Sequence, residues 1–458
     1  MSESLGSASV DNKKHDDSYA APSLDPDACQ SIGIEIHEFA SELFPICRSI
    51  TGNGVRQTLE KLSSKIPLSI REVPSGTKVL DWIVPKEWNI RDAYIKNERG
   101  ERLVDFRASN LHAMSYSAPV RARMKLKELR DHIFTLPDQP DLIPYRTSYY
   151  SENWAFCMAH NQLSRFDEDS TYEVLIDSDL QPGHLTLGEA THAGETSDEV
   201  LLSAHICHPS LANDNCSGLA LLAYLAKRLS TRKTRYTYRF LFAPGTIGAI
   251  AWLDANQETL KIKHGLVVSC VGDGGGPTYK SSRVGDSMID RAMRNVLSHS
   301  FPNPTFLDFE PYGYDERQFC SPGFNLPVGL FQRSHFGSFP EYHTSADNLE
   351  FIKPQHLESS FGAIWDVIEI LESNRRLVNM KPFGEPQLGR YDLYSPIGGD
   401  HRSAGHRMAM LWVLNLSDGQ QTLLDIAERA NLPFKVICEA AKALERCGLL
   451  AGCNQAAL

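Results

Sequence analysis

Residues 201–229 read "LLSAHICHPSLANDNCSGLALLAYLAKRL", an apolar strand-like run followed by a polar loop and an apolar helix-like run. The strand leads to His205, His208 lies three residues further on, and Asp214 stands where the helix begins. Imidazole nitrogens and carboxylate oxygens are ligands that Zn²⁺ accepts. The same letters also describe an aspartate that caps a helix, or a thiol site around Cys207. The stretch therefore predicts a strand–loop–helix unit and leaves these three interpretations open.

The segments around this unit repeat the alternation of strand and helix. "TYRFLFAP" (237–244) and "HGLVVSCVGD" (264–273) are strand-like, and the helical run "TIGAIAWLDANQETL" (246–260) lies between them. Such alternation predicts an α/β domain whose sheet is covered by helices on both faces. Sites in these sheets gather at the carboxyl ends of the strands. We therefore expect functional residues at 205–208, 244–246 and 272–273.

Three other segments differ in character from this α/β region. Residues 1–28 are polar and predict a disordered leader. Residues 71–144 read as short strands and turns, which predicts a small β-rich domain inserted between residues 29–70 and 145–387 of the α/β domain. Residues 388–458 contain three helix-like runs, and the tight turn between the last two predicts a winged-helix domain.

Charge and cysteine usage restrict the function classes. The chain has 458 residues and a formal net charge of −11, which argues against a partner bound through bulk positive charge, such as nucleic acid or an anionic membrane. The winged-helix region is nearly neutral, with six Lys or Arg against five Asp or Glu over 401–458, so we expect it to contact protein. No apolar run could span a bilayer and no CxxC motif occurs, which favours a cytoplasmic location with reduced thiols.

A second polar cluster, "EYHTSADN" (341–348), lies far downstream of the first. It contains a histidine between acids, and a metal-bound histidine usually donates its other N–H to a carboxylate or carbonyl. Taken alone, the cluster also describes a polar turn, and the aspartate that ends "SCVGD" also describes a turn residue. Together the two clusters would hold one Zn²⁺ and leave a position open for water. The candidate ligands are His205, Asp214, His343 and Asp273.

Four motifs carry a family resemblance: "HICHPSLANDNCSG", "APGTIGAIAWL", "GYDERQFCSPGFNLPVG" and "EYHTSADN". They resemble the bacterial aminopeptidase-like domain family (DUF4910/DUF2172 type), which is related to the M28 zinc aminopeptidases. Similar stretches cover nearly the whole chain after the leader. The resemblance implies a zinc-peptidase-like mixed sheet sandwiched by helices, an inserted small β domain and a C-terminal winged helix. It also implies zinc, one ion per chain, and hydrolysis of an amide next to a free amine in a small peptide or an amino-acid conjugate.

The family pattern can be carried over position by position. It assigns the first metal histidine to His205, the bridging aspartate to Asp214, the late histidine to His343 and a further ligand to Asp273. The peptidases have an aspartate where this chain has Cys207.

The largest departure from the pattern is the loss of a glutamate pair. Where the peptidases carry a general base followed by a ligand, this chain has Gly245 and Thr246, in "PGTIG" rather than the "PETIG" of relatives. Hydrolysis needs a group that takes a proton from water and passes it to the leaving amine, which glycine cannot do. Glu341 is the predicted substitute, and Glu316 is a second candidate in a motif position.

Two rival functions stay open at this point. One is a non-catalytic, metal-containing binding or regulatory protein that uses the winged helix for protein contacts, with a homo-oligomer or a protein partner. The other is a thiol mechanism at Cys207, which we rank lower because a cysteine after an apolar strand is more often buried and inert. Arg48 is expected in a structural ion pair.

Overall fold

The computed structural model describes residues 26–393 and 401–453 of the chain. The predicted leader, residues 1–28, lies outside the described residues except for 26–28, which begin the first helix. The helices are α1 (Pro26–Leu43), α2 (Asn53–Ser63), α3 (Leu126–Leu129), α4 (Gly218–Leu229), α5 (Ile247–Asn256), α6 (Met288–Ser300), α7 (Glu316–Phe319), α8 (Pro354–Ser373), α9 (His401–Leu416), α10 (Leu423–Ala430) and α11 (Phe434–Arg446).

The strands belong to five sheets of different size. They are β1 (Ser69–Pro74), β2 (Lys78–Val79), β3 (Trp82–Ile83), β4 (Glu87–Lys96), β5 (Arg102–Asp105), β6 (Val120–Lys125), β7 (Ile133–Phe134), β8 (Phe156–Cys157), β9 (Thr171–Gln181), β10 (His184–His192), β11 (Glu199–His205), β12 (Thr237–Ala243), β13 (Ile262–Val268), β14 (Thr278–Lys280), β15 (Thr305–Leu307), β16 (Val328–Gln332), β17 (Arg376–Asn379), β18 (Asp418–Thr422) and β19 (Leu450–Gly452).

The largest sheet has eight strands in the order β1-β10-β12-β11-β13-β16-β14-β15. Its centre, formed by β12, β11, β13 and β16, is parallel, and β1, β10 and β14 add antiparallel pairings. All residues of β11 after Glu199 are buried, because a central parallel strand is covered on both faces. The prediction of an α/β domain with a mixed sheet is confirmed.

Helices cover both faces of this sheet. On one face α1, α4, α6 and α8 pack into a single apolar core with residues of β11, β12 and β13. On the other face α5 and α7 form a smaller core, in which Trp252 packs edge-on against Phe319 at 6.1 Å between ring centroids. The carboxyl ends of β11, β12 and β13 therefore open at one edge of a well-packed layer, where a site can be held rigidly.

The inserted β-rich unit is a four-stranded antiparallel sheet in the order β5-β4-β9-β6. Its strand β9 pairs with both β4 and β6 and begins at Thr171, so the unit extends past the predicted boundary at residue 144. The strand that follows, β10, returns to the large sheet. Both strands alternate apolar and polar residues, and alternation alone does not indicate which of two sheets a strand joins.

The C-terminal unit combines α9, α10 and α11 with a three-stranded sheet in the order β18-β17-β19. Its strand β17 pairs with both neighbours and begins at Arg376, so the unit starts before the predicted residue 388. The architecture of three helices and a small sheet confirms the predicted winged helix. Its buried residues belong to the same apolar core as α6 and α8. None of the described helices is both long and apolar enough to cross a membrane.

Candidate metal centre

Asp214 is the centre of the candidate site. One carboxylate oxygen, Oδ1, lies 2.7 Å from His205 Nε2, and the other, Oδ2, lies 3.1 Å from His343 Nε2. His205 and Asp214 are each only 1% exposed, whereas the His343 side chain is 34% exposed. His343 and Asp214 are 129 positions apart in the sequence. The two histidine-containing motifs therefore meet at one carboxylate.

His208 lies in the same cluster. Donor atoms of His205, His208 and Asp214 all fall within 4.8 Å of one another, and all three residues are buried. The His208 ring lies 4.8 Å from the His205 ring and 5.3 Å from the His343 ring, measured between centroids. Two bonds of 2.0–2.1 Å at a tetrahedral zinc place donor atoms about 3.4 Å apart. The cluster is therefore compact enough for one ion, and it includes a histidine whose role the sequence left open.

Burial and mutual charge set the protonation of this cluster. Burial lowers the pKa of His208 well below its usual range, so the neutral imidazole keeps a lone pair available. Burial by itself would raise the pKa of Asp214, but the surrounding histidines, including the hydrogen bonds from His205 and His343, outweigh it and hold the pKa well below its usual value. A neutral imidazole beside an ionised carboxylate is the protonation state that metal binding requires.

The loop that carries these residues is held by a buried arginine. Arg48 donates from Nε to the His208 carbonyl at 2.8 Å, from Nη1 to the Leu43 carbonyl at 2.6 Å and from Nη2 to Cys216 Sγ at 3.0 Å. The expectation of a structural ion pair was wrong, because the guanidinium donates to carbonyl groups and a thiol. Its planar set of N–H donors suits three acceptors in different directions.

Asp347 holds the other side of the same loop. Its carboxylate accepts from the backbone N–H of Asn213 at 2.6 Å and of Asp214 at 3.0 Å, and its carbonyl accepts from Ala212 N at 3.0 Å. Burial raises the pKa of Asp347 to about 8, against the lowering effect of these hydrogen bonds. The second motif thus supplies both His343 and the residue that fixes the backbone of Asp214.

The His343 segment is also joined to the inserted region. The Tyr145 N–H donates to the His343 carbonyl at 2.7 Å, and Ile143 and Ser345 exchange hydrogen bonds of 2.9 and 3.0 Å. The Tyr145 ring lies edge-on to the rings of both His208 and His343, at 5.1 Å in each case. The pairing of residues 143–145 with 343–345 therefore frames the candidate metal centre, and the sequence did not indicate this contact.

The structure does not bring Asp273 into the cluster. Its Oδ1 accepts from Gly275 N at 2.7 Å and Ser334 Oγ at 2.6 Å, while its Oδ2 accepts from Asn213 Nδ2 at 2.8 Å and Ser334 N at 3.3 Å. Both oxygens are thus engaged by loop donors, and Asp273 does not belong to the group that could hold a metal among the described residues. Among the described residues, its hydrogen bond to this cluster runs through Asn213, the neighbour of Asp214.

The two predicted proton carriers lie in different environments. Glu316 is fully buried and pairs with Lys280 at 2.6 Å, so its carboxylate is already neutralised by a structural partner. Glu341 is partly exposed and lies two residues before His343, and only its backbone carbonyl takes part in the hydrogen bonds of the described residues, with Thr344. Of the two, only Glu341 keeps a free carboxylate.

Cys207 is buried and lies beside the cluster rather than within it. Its Sγ is 3.1 Å from the Tyr314 hydroxyl and 3.8 Å from His208 Nδ1. Burial raises the pKa of the Cys207 thiol to about 12, although the hydrogen bond from Tyr314 opposes this. A thiol that stays protonated is a poor nucleophile, which argues against the thiol mechanism.

Tyr314 is a site residue that sequence reasoning missed. Its ring centroid lies 4.0 Å from that of His205, and it is directly followed by Asp315, a fully buried residue whose carboxylate oxygens have no hydrogen-bond partner among the described residues. Burial, aided by the charge of Glu316, raises the pKa of Asp315 well above its usual value. The family motif "GYDERQF" contained both residues, but no local pattern indicated that it faces His205.

Aromatic rings continue outward from the histidines. Tyr342 stacks on His343 with 4.0 Å between centroids and lies 6.0 Å from Phe336 and 5.5 Å from Phe339. Phe336 in turn lies 6.3 Å from Tyr314. The partly exposed side of the metal centre is thus bordered by an apolar, aromatic wall.

Comparison with known proteins agrees with the two-part architecture of the chain. Residues 37–374 match the family described as a domain of unknown function (DUF4910), and residues 375–452 match the winged helix-turn-helix family. The fold is that of the aminopeptidase-like class, and the chain belongs to the DUF4910 family.

Two relatives from Clostridium acetobutylicum and one more distant structure illustrate the similarity. A protein named for polysaccharide biosynthesis and an aminopeptidase-like domain is 52% identical over 91% of this chain and 96% of its own length. A crystal structure provisionally described as a peptidase is 50% identical, covers 93% of this chain and 98% of its own, and superposes with a TM-score of 0.88. A zinc aminopeptidase from Bacillus subtilis is 12% identical, covers 75% and 94%, and has a TM-score of 0.53, which indicates a shared fold alone.

Proposed function

We propose that this chain is a zinc-dependent, aminopeptidase-like hydrolase with one metal ion per chain. The observation that carries the proposal is the sharing of Asp214, whose two carboxylate oxygens face His205 and His343 separately. We assign metal binding to His205, Asp214 and His343, the predicted ligands, together with His208, whose donor atom belongs to the same compact group. The reaction proposed is hydrolysis of an amide next to a free amine, in a small peptide or an amino-acid conjugate.

The donor set fits zinc by its chemistry. Neutral imidazole nitrogens and an ionised carboxylate suit Zn²⁺, and buried donors held by other hydrogen bonds need little rearrangement to bind it. When bound, zinc supplies a Lewis acid that polarises a carbonyl oxygen and makes water more acidic.

The chain's own residues have distinct roles in this proposal. Arg48 and Asp347 hold the backbone around His208 and Asp214, so the donors are oriented before a metal arrives. The aromatic wall of Tyr342, Phe336 and Phe339 would receive an apolar side chain of the substrate. Glu341 is the proposed proton carrier, because its carboxylate is free and lies close in sequence to His343.

Metal content tests the first half of the proposal. Purified full-length protein, loaded with zinc and then dialysed, is expected to retain about one ion per chain. His205→Ala and Asp214→Asn are expected to retain much less, because each removes a buried donor. His299→Ala is the matched control, since His299 lies on α6 and bonds to the Asn295 carbonyl. A wild-type chain without zinc, or variants that keep it, would contradict the proposal.

Activity tests the second half. A panel of aminoacyl p-nitroanilides is expected to reveal turnover by the zinc-loaded protein. Glu341→Gln should then lower kcat by about 100-fold or more with zinc content unchanged, the size expected for loss of a general acid–base group. A wild type that binds zinc and hydrolyses no member of the panel would favour the alternative, a metal-containing binding protein.

Restoring a carboxylate at residue 245 discriminates between these two functions. A side chain at Gly245 would collide with the Tyr314 ring, since a Cβ atom there would lie 2.0 Å from Tyr314 Cε1. Gly245→Glu must therefore be combined with Tyr314→Gly. If the double variant gains activity over a silent wild type, the natural chain lacks a base. If the wild type is active and the double variant is not faster than Tyr314→Gly alone, another group serves as the base.

A further inference from the structure

The most informative residue outside the predicted site is Tyr314, which occupies the space beside Gly245. A Cβ atom built on Gly245 would lie 2.0, 2.4 and 2.5 Å from Cε1, Cζ and the hydroxyl oxygen of Tyr314. No side chain tolerates such distances, so the two residues depend on each other: the tyrosine ring can lie where it does only because residue 245 is glycine.

The ring is part of the wall of the metal centre. Its centroid lies 4.0 Å from that of His205 and 6.0 Å from that of His208. Tyr314 is partly exposed, while His205 and His208 behind it are buried. A molecule that approached His205 from this side would meet the phenol.

The backbone of Tyr314 is fixed from behind. Its N–H donates to both oxygens of the Glu316 carboxylate, at 3.1 and 3.0 Å. Glu316 pairs with Lys280 at 2.6 Å, and Lys280 also donates to the Tyr312 carbonyl at 2.6 Å. Gly313 gives this pair its room, because a Cβ there would lie 2.0 Å from Glu316 Oε1. A buried ion pair thus sets the direction of the ring.

The hydroxyl, in contrast, has only a weak partner. Within the described residues its one hydrogen-bond contact is Cys207 Sγ, at 3.1 Å. A thiol is a weak donor and a weak acceptor, so the phenol has an O–H that an oxygen of a bound molecule would satisfy better. At neutral pH a phenol keeps its proton, so it can donate a hydrogen bond but does not act as a base.

We propose that Tyr314 contacts the bound ligand and donates a hydrogen bond from its hydroxyl to a carbonyl or carboxylate oxygen of that ligand, with Gly245 as the residue that makes room for it. The inference rests on the proposed metal-dependent function and adds a residue to the site. In this arrangement, the space beside Gly245, just after β12, is filled by the Tyr314 phenol, a hydrogen-bond donor from a distant segment of the chain. Tyr314 would recognise acyl oxygen, whereas the aromatic wall would recognise the side chain.

Ligand affinity tests the hydrogen bond. L-leucine hydroxamate, titrated calorimetrically into the zinc-loaded full chain, is expected to bind Tyr314→Phe about five- to tenfold more weakly than wild type, the range of one neutral hydrogen bond. Phenylalanine keeps the ring, so zinc content is expected to stay unchanged. Tyr94→Phe is the matched control, because the Tyr94 hydroxyl donates to Glu173 at 2.7 Å within the inserted sheet.

The outcomes separate this inference from the proposed function. Equal affinity of wild type and Tyr314→Phe overturns the inference, and so does a zinc-loaded wild type that does not bind the hydroxamate. Weaker binding by Tyr314→Phe, in a protein that hydrolyses no aminoacyl substrate, supports the inference while the proposed hydrolase fails.

A second measurement tests the steric half without zinc. Gly245→Ala is expected to lower Tm, because its methyl group displaces the Tyr314 ring. In a Tyr314→Gly background the same substitution is expected to lower Tm by less, because the ring is no longer there. A Gly245→Ala protein with the wild-type Tm and the wild-type hydroxamate affinity overturns the inference.

Discussion

At the scale of single residues, the candidate metal centre is organised by groups that are not themselves among the proposed donors. Arg48 is 1% exposed and donates to the carbonyl of His208, and Asp347 accepts from the N–H of Asp214. Each therefore fixes the backbone of a donor residue rather than its side chain. This arrangement explains how three donor residues on an irregular loop can stay within a few ångströms of one another.

We expect Arg48→Lys to destabilise the protein and to weaken zinc binding. One ammonium cannot reach the His208 carbonyl, the Leu43 carbonyl and Cys216 Sγ together, because they lie around a planar fork of donors. Leaving buried acceptors without donors should cost about 2–4 kcal/mol of unfolding free energy. Urea unfolding measures the loss. Arg123→Lys, at a side chain that is 78% exposed, should change little, and equal stability of both variants would contradict the role of Arg48.

A histidine far from the metal centre should give a separate pH signal. Burial, together with the nearby charge of Arg235, lowers the pKa of His264 on β13 from 6.5 to about 4. Because the folded state resists protonation, the unfolded state binds more protons in this window, and stability falls as pH drops from 6.5 towards 4. The loss should reach about 3 kcal/mol. Unfolding free energies of wild type and His264→Gln should converge as pH falls, and parallel curves would count against this assignment.

At the scale of elements, the short helix α7 and the strand β14 are tied by one buried ion pair. Lys280 ends β14 and Glu316 begins α7, and their side chains are 1% and 0% exposed. The same carboxylate accepts from Tyr314 N. The pair therefore joins an edge region of the large sheet to the loop that carries Tyr314.

Removing one charge of this pair should destabilise the fold more than removing both charges. Lys280→Met leaves the Glu316 carboxylate buried without its cation, which should cost about 3–5 kcal/mol of unfolding free energy. Lys280→Met/Glu316→Leu removes both charges and should recover much of that loss. Denaturant unfolding of both variants measures the difference, and a double variant that is less stable than Lys280→Met would show that the pair itself is stabilising.

At the scale of the whole molecule, the winged helix and the α/β domain share one core. Arg291 on α6 pairs with Asp425 at 2.6 Å and also with Glu428, and Asn295 accepts from Phe434 N at 2.9 Å. Leu424 N donates to Asn374 Oδ1 at 2.9 Å at the end of α8. The C-terminal unit is therefore packed as part of the fold and is not attached by a loose linker.

We expect that the chain cannot lose this unit without consequence. Truncation after Ser373 would expose apolar residues of α6 and α8 that the winged helix now covers, so Tm should fall and the truncated protein should aggregate on heating. Calorimetry and light scattering measure both. The intact chain should unfold its C-terminal unit together with the α/β domain, and two well-separated transitions would contradict a shared core.

Local patterns of strand ends and polar loops were sufficient for the α/β class, and the family resemblance supplied the meeting of His205, Asp214 and His343. The sequence was insufficient for Tyr314, whose relation to Gly245 depends on the path of a loop about 70 residues away. It also misplaced Asp273, because an aspartate at the end of a strand gives the same local sequence pattern whether it binds a metal or accepts from loop N–H groups. The predicted end of the inserted domain at residue 144 missed strand β9, because alternation of apolar and polar residues does not indicate which sheet a strand joins.

The pairing of residues 143–145 with 343–345 has a consequence for the order of folding. Ile143 and Ser345 are separated by 202 positions, so one half of this frame is synthesised long before the other. A long loop must close before contacts of such sequence separation can form, and this slows folding. The nascent chain therefore carries His205, His208 and Asp214 well before His343 arrives to close the group. In the proposed function, stable zinc uptake is therefore expected only after the segment that carries His343 has folded onto the other donors.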